Sequence, residues 1–280
     1  MANYYTLSIS SNYWKPGTNF LKEILEISSK IKNDDFIVIS EKAISVALGN
    51  IVDEKEIKPS RLARTLSGPW MRWGWGYFLG VLCKFGPRLL QRLRNYPKQS
   101  GSQHKQLALE RAGLIQALMF GSEGGIDGSN LPYAYVSMPL NNCQKIAEQI
   151  QLAIEDQFKK RINVLIVDSD KTYSYRNFHF TPRPKPLKGI HSFGGIVAYL
   201  LGRILKLRRR PTPLAATGDI VLEEALKISN VADHARGPGS GATVWDMASR
   251  FNVKVNAVSW DMLSAVKHKP VILVRKKKNK

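Results

Sequence analysis

Two short stretches hold the oxygen ligands on which any chemistry of this chain would depend. Gly121 to Asn130, GSEGGIDGSN, carries four glycines, two serine hydroxyls and the carboxylates Glu123 and Asp127. Glycine at that density disfavours a helix or strand interior. The stretch therefore reads as a loop whose backbone approaches something closely. Asp127 and Asn130 stand at a spacing that suits one metal-bound phosphate. The second stretch is Asp168-Ser169-Asp170, which ends the apolar run Asn163 to Val167. A carboxylate at the C-terminal end of a buried strand is a common place for ligand chemistry in α/β folds. Together with Glu224 these residues make an all-oxygen donor set. Such a set suits hard cations, Mg2+ or Mn2+, which take one or two carboxylates plus substrate phosphates. The plain alternative makes each residue a cap, a turn residue or a solvated charge.

Other chemistries lack their patterns. There is no GxxxxGK followed by Ser or Thr, and no GxGxxG after a strand. Gly237 to Gly241 is short for a phosphate loop and carries Pro238. The five histidines are scattered, without zinc spacing. Cys83 and Cys143 lie far apart in sequence, which suits a reducing, cytoplasmic setting. The first residues, MANYYTLSIS, lack the basic start and apolar core of a signal peptide.

The 280 residues suffice for a single unit, with room for two lobes, and 44% are hydrophobic. Charge is the outlier, with 42 Lys and Arg against 22 Asp and Glu, formally +20. Such a field attracts nucleic acid, an anionic membrane surface, or small polyanions such as nucleotides. The basic tail, Arg275 to Lys280, reads as a solvated end.

The elements that must position these residues follow from periodicity. Tyr4 to Ser10 and Phe36 to Ser40 read as strands, the second with Glu41 and Lys42 at its end. Thr18 to Ile31 repeats Phe20, Ile24, Ile27 and Ile31 at helical spacing. Ser60 is placed to cap a short helix. Lys105 to Phe120 is an amphipathic run that leads into the glycine loop. Asn141 to Phe158 and Gly218 to Val231 are helices, and Pro270 to Val274 is a last strand. Thr181 to Pro186 and Ala235 to Thr243 are loops, and Asn95 to Lys105 is a polar linker. Gly68 to Pro97 packs three tryptophans around glycines and is too short and interrupted to span a bilayer. It reads as packing against a second subunit or domain, as ordinary core, or as a membrane-interface segment. Alternating strands and helices give an α/β (α+β) class with mixed sheets and flanking helices.

At this level the chain resembles the γ-glutamyl ligases that add L-glutamate to the deazaflavin coenzyme F-420. The most specific block is Glu123 to Leu131, EGGIDGSNL, which looks like the family's NAGIDASNV. Trp14 to Leu21, Asn33 to Asn50, Ile57 to Ala63 and Ile162 to Arg176 resemble further blocks in the family's order, and Pro270 to Lys276 its closing strand. A weaker match places the family's ADE helix on Thr217 to Ala225. Val46 stands where the family has lysine, and 242–268 looks like an insertion. The resemblance implies a two-lobed homodimer and a GTP-dependent ligation. The terminal phosphate goes to the carboxylate of the deazaflavin acceptor, and the amine of L-glutamate then attacks the acyl phosphate. It implies two Mg2+ or Mn2+ ions at Asp127, Asp168 and Ser169. It also implies nucleotide contacts from Ser40, Glu41, Lys42 and Asn130, and substrate clamps or catalytic groups at Arg176, Asp170 and Glu224. The alternative is a relative that binds nucleotide, nucleic acid or an anionic membrane surface without ligating.

Overall fold

The computed structural model describes residues 4–27, 30–121 and 123–277. The chain opens with β1 Tyr4–Ser11, α1 Phe20–Ile27, β2 Phe36–Ser40, α2 Glu41–Ala47 and β3 Ile51–Asp53. A helical stretch follows: α3 Arg61–Thr65, a π-helix Leu66–Leu79, α4 Gly80–Leu82, α5 Pro87–Arg94, α6 Gln99–Ala112 and α7 Leu114–Ala117. Next come β4 Tyr135–Ser137, α8 Cys143–Phe158, β5 Asn163–Tyr175, β6 Phe178–Thr181, β7 His191–Ser192 and α9 Ile196–Ile204. The last elements are β8 Arg208–Ala216, α10 Leu222–Arg236, α11 Val244–Phe251, α12 Trp260–Ser264 and β9 His268–Lys276.

The main sheet runs β1-β9-β2-β5-β6-β7, with β8 also paired to β5. It is mixed: β2 and β5 are parallel, whereas β9 is antiparallel to both β1 and β2. The continuous apolar runs in its central strands have a direct cause, because both faces are covered. On β2, Ile37 and Ile39 face the core shared with α1 and α8, while Phe36 and Val38 face the core shared with α10. Val164 and Ile166 divide from Leu165 and Val167 in the same way on β5, as do Val271 and Leu273 from Ile272 and Val274 on β9. A second group of helices gathers around Met71, Trp75, Leu93, Met119 and Ile196.

Several elements differ from the sequence expectation. The first helix spans Phe20–Ile27, and Ser28 and Ser29 of the expected Thr18 to Ile31 lie outside the described residues. The expected linker is mostly helix, since α6 begins at Gln99 and buries Gly101, Ser102 and Lys105. The amphipathic run beyond it breaks at Gly113, whose φ of 87 is a left-handed value that favours glycine. The tail is not free from Arg275 onward: that guanidinium donates to Asp35 at 2.6 Å from within β9. Residues 278–280 lie outside the described residues. The tryptophan segment is split in burial. The indoles of Trp70 and Trp75 both donate to the carbonyl of Leu118 at 2.8 Å, whereas Trp73, Tyr77 and Phe78 are exposed. Among the described residues no helix is long and apolar enough to cross a membrane.

The short helix α3 begins as its sequence implies, with Ser60 Oγ accepting from the amide of Ala63 at 3.2 Å. Ser60→Ala is therefore expected to lower the unfolding free energy by about 1 kcal/mol. Urea unfolding checks the value, and ligand binding should not change, because Ser60 lines neither cavity described below.

Candidate functional site

A gap in the main sheet creates the site. The pairing of β2 with β5 ends at Ser40 and Val167, where the chain turns directly into α2. The pairing of β5 with β6 begins only at Tyr173 and Phe180. Between these two points the edge of β5 from Asp168 to Thr172 is paired with neither β2 nor β6, and β6 reaches it through the hydroxyl of Thr181, which donates to the carbonyl of Lys171 at 3.1 Å. On the opposite edge, the register with β8 shifts between Asp168 and Lys171. The expectation that Asp168 ends its strand is therefore corrected, because β5 runs on to Tyr175 and Asp168 sits at an irregularity within it. Such irregularities re-aim side chains.

Arg183 fills the gap. It follows the end of β6 by two residues, and its side chain is 3% exposed. Its Nε donates to Asp168 Oδ2 at 2.7 Å and one terminal nitrogen donates to Glu41 Oε1 at 2.7 Å. The other terminal nitrogen donates to the carbonyl of Gly124 at 2.9 Å. One guanidinium thus joins β5, the start of α2 and the glycine loop. Gly125 must be glycine here, since its φ is 95 and a Cβ would run into the guanidinium. Burial lowers the affinity of Arg183 for its proton, but Asp168, Glu41 and Asp170 more than reverse this and hold it firmly charged. Glu41 is pushed up to about 7, chiefly by burial, with repulsion from Asp168 in the same direction and Arg183 opposing. One cation serves several carboxylates, so the second carboxylate bears the excess.

A second link ties α2 to the same loop. Lys42 Nζ pairs with Asp127 and donates to Ser129 Oγ at 2.7 Å. Asp127 Oδ1 accepts from the amide of Ser129 at 2.7 Å, an Asx turn that holds its carboxylate. Ser122, in the same loop, lies outside the described residues. Asn130 has a left-handed φ of 57 and turns its amide onto the backbone of the next loop. Its Oδ1 accepts from the amide of Ser240 at 2.5 Å and its Nδ2 donates to Gly241 at 3.1 Å. Its carbonyl accepts from the hydroxyl of Tyr13. Asn130 therefore organises the 237–241 loop.

Two cavities open beside these residues. The first, about 610 Å3, is lined by Ser40, Lys42, Asp168, Lys171, His268 and the 237–241 loop, among others. The second, about 580 Å3, is lined by Asp127, Tyr96, His104, Phe120, Glu123 and Trp245, among others. They meet at Ser129, Ser169 and Ala242, which line both. Trp245 comes from the segment that reads as an insertion. It stacks on Phe120 at an interplanar angle of 12°, and its neighbour Asp246 accepts from Arg92 at 2.7 Å. The segment is thus part of the cavity wall.

Of the ten residues singled out in the sequence, Ser40, Lys42, Asn130, Asp168 and Ser169 line the first cavity and Asp127 lines the second. Glu41 is buried behind them on Arg183, and Asp170 is buried with its carbonyl accepting from Thr212 at 2.8 Å. Arg176 and Glu224 are not brought to either cavity. Arg176 stands at the turn between β5 and β6 with its guanidinium over the ring of Tyr175. Glu224 accepts from the hydroxyl of Tyr4 at 3.3 Å and pairs with Lys276 at 2.6 Å. The central arginine is Arg183, which sequence reasoning passed over. Its only local signal is its place between Pro182 and Pro184 in an otherwise ordinary loop.

Sequence reasoning also missed a buried charge cluster under the second cavity. His104 lies 2.5 Å from Glu54 through Nδ1 and 3.1 Å from Glu123 through Nε2. Lys105, fully buried, donates to Glu123 at 2.7 Å and to the carbonyl of Met119 at 2.6 Å. Burial opposes charge on His104, but Glu54 and Glu123 hold its proton and raise it to about 10. Burial likewise disfavours ionised Glu123, but Lys105 and His104 overcome it and lower it to about 2. Among the described residues no group of three or more His, Cys, Asp or Glu is gathered tightly enough to enclose a metal ion.

The family described as F420-0:gamma-glutamyl ligase matches residues 8–182, well over half of the chain. An uncharacterized protein of Methanocaldococcus jannaschii is 32% identical over 281 residues, which cover 95% of this chain and 94% of the relative. The family match stops one residue short of Arg183 and does not include the 237–241 loop or Trp245.

Two tests follow from this geometry. Arg183→Met would leave Glu41 and Asp168 facing each other without their cation, and is expected to cost about 3–5 kcal/mol in urea unfolding. Adding Glu41→Gln should recover part of that loss. The second test is pH. Stability contributed by Glu123 is present above its ordinary 4.5 and is lost as pH falls toward about 2. Stability contributed by His104 is present below 6.5 and is lost as pH rises toward about 10. His104→Gln should flatten the alkaline limb of a plot of urea midpoint against pH, and Glu123→Gln the acid limb.

Proposed function

Because the chain belongs to the F420-0:gamma-glutamyl ligase family, we propose that it is a ligase that joins L-glutamate to a coenzyme F-420 precursor at the expense of GTP. The observation that carries this reading is the pair of adjoining cavities, with Asp168 on the wall of one, Asp127 on the wall of the other, and Ser129 and Ser169 between them. Both cavities are of ligand-binding size. The first, with Lys42 and Lys171 on its wall, suits the nucleotide and its phosphates. The second, with Tyr96, Phe120 and Trp245, suits the flat ring of the deazaflavin acceptor.

In this reading the terminal phosphoryl group of GTP passes to the acceptor carboxylate where the cavities meet, giving an acyl phosphate and GDP. The glutamate amine then attacks the acyl carbon, phosphate leaves with the bonding pair, and the amine loses a proton. The chain's own part is chiefly positioning and charge. Arg183 holds Asp168 in place, and Lys42 with the Ser129 amide holds Asp127. The N–H groups of the glycine loop and the cationic walls would steady the phosphate oxygens.

Mg2+ or Mn2+ fits this donor set, which is all oxygen, and one of its members, Asp168, shares the single cation of Arg183 with Glu41 and Asp170. Asp127, Asp168 and Ser169 would hold the metal, with substrate phosphates completing the shell, and it would supply neutralisation of phosphate charge. One feature favours a second reading, a relative that binds nucleotide without ligating. Val46, an apolar side chain, lines the first cavity where the resembled family carries lysine.

Mass spectrometry after incubation with GTP, Mn2+, L-glutamate and the acceptor separates the two readings, since only a ligase yields glutamylated product together with GDP. On the ligase reading, Asp127→Asn and Asp168→Asn are each expected to lower product formation by about 10²–10³-fold. Each should also remove the rise in thermal midpoint that Mn2+ gives the parent protein. Ser169→Ala should weaken both effects without abolishing them. Glutamylation by Asp168→Asn at the parent rate would refute the assignment.

A further inference from the structure

The excess charge of this chain is not spread over it. Residues 57–109 contain ten Lys and Arg and no Asp or Glu, and residues 171–218 again contain ten and none. The remaining chain holds twenty-two cations against twenty-two acids, so the whole formal +20 resides in these two segments. The fold brings them together. The ring of Trp75, on the π-helix, lies 5.7 Å from that of Tyr199 on α9. Arg203 of α9 donates to the carbonyl of Cys83 at 2.8 Å and lies over the ring of Phe85.

The outer face of this junction is apolar. A π-helix has a wider turn than an α-helix, so side chains four and five residues apart share a face. Met71 and Trp75 therefore face inward, and Gly80 at the start of α4 is buried after them. Trp73, Phe78 and Leu82 face outward, with Trp73 63% and Phe78 73% exposed. Leu201, Ile204 and Leu205 at the end of α9 are exposed as well, Leu205 by 61%. Lys84 and Lys206 follow the two helical ends in left-handed turns, with φ of 55 and 52. Both are exposed, as are Arg88 and Arg209. The face is therefore an apolar centre with a cationic border and no acid from either segment.

We infer that this face docks on an anionic lipid bilayer, with the aromatic and aliphatic side chains at the headgroup boundary and the lysines and arginines on the lipid phosphates. Charge complementarity selects this occupant. In a twofold dimer the patch would meet itself, bringing two cationic borders together with no acid from either segment to pair them. Nucleic acid would satisfy the cations and leave the apolar centre in water. An anionic membrane surface satisfies both. The mode is interfacial, since no described helix is long and apolar enough to cross a membrane.

Co-sedimentation of the full chain with sucrose-loaded vesicles tests the inference. Vesicles of phosphatidylglycerol and phosphatidylcholine are expected to bind it at least about tenfold more tightly than phosphatidylcholine alone. The exposed double variants Phe78→Ser with Leu82→Ser, and Lys84→Glu with Lys206→Glu, should each lower that binding by about tenfold at an unchanged thermal midpoint. No binding to anionic vesicles at physiological salt would overturn the inference. So would a stable dimer in light scattering that Phe78→Ser with Leu82→Ser dissociates, which would assign the face to a second copy. Binding to a single-stranded oligonucleotide as tight as to the vesicles, and indifferent to Phe78→Ser with Leu82→Ser, would overturn it in favour of nucleic acid.

Discussion

The guanidinium of Arg183 is the constraint on which the site rests. A charge so buried is tolerated only when it is paired and its hydrogen-bonding capacity is met by acceptors. Here those partners come from three distant parts of the chain: Asp168 on β5, Glu41 at the start of α2, and the carbonyl of Gly124. Each is thereby fixed relative to the others. The gap in the sheet makes the arrangement possible, because β2 leaves the edge of β5 before β6 joins it. Without that gap the backbone groups of 168–172 would face a neighbouring strand, and no side chain could enter between them.

The two cavities inherit their character from this frame. Lys42 repeats the logic of Arg183 on a smaller scale, with its amine on Asp127 and Ser129. The glycine loop is thus clamped at two points, by Arg183 at Gly124 and by Lys42 at Asp127. The floor of the second cavity is set by Glu54, His104, Lys105 and Glu123, whose charges balance in a space almost closed to water. Such a network rigidifies its surroundings when it is fully satisfied. The ligand-facing loops are therefore mounted on buried ion pairs, an arrangement that favours fixed geometry.

The helical group carries a different design. Its inner side is a close-packed aromatic core in which Trp75, Phe85, Phe120 and Tyr199 meet stacked, tilted or edge to face. Its outer side is apolar and cationic, and it belongs to the two segments that hold no acid. The inner core reaches the second cavity through Phe120 and Trp245. One group of helices thus closes the cavity and presents the external face, so a partner on that face would press on the elements that wall the cavity.

By itself the sequence determined the local and the strongly periodic features. Phe36 to Ser40, Asn163 to Val167 and Pro270 to Val274 were legible as strands because their apolar runs, Phe36 to Ile39, Val164 to Val167 and Val271 to Val274, alternate between the two cores. The cap at Ser60 was legible because it needs only the amide three residues on. The glycine loop was legible because no other element tolerates such composition, and its resemblance to a family motif agrees with the family match over residues 8–182. The tertiary structure decided what depends on partners far away in the chain. Arg183 meets Glu41 across 142 residues, and His104 meets Glu54 across 50, separations at which no spacing rule operates. The extension of β5 past Asp168 escaped the sequence because DSDKTYSY is too polar to read as strand, and only pairing with β6 and β8 holds it extended. The π-helix escaped for a related reason. Its glycines and proline argue against any helix, and the close packing of Gly76 on Arg94, where a Cβ would come within 2.9 Å, exists only once α5 is in place.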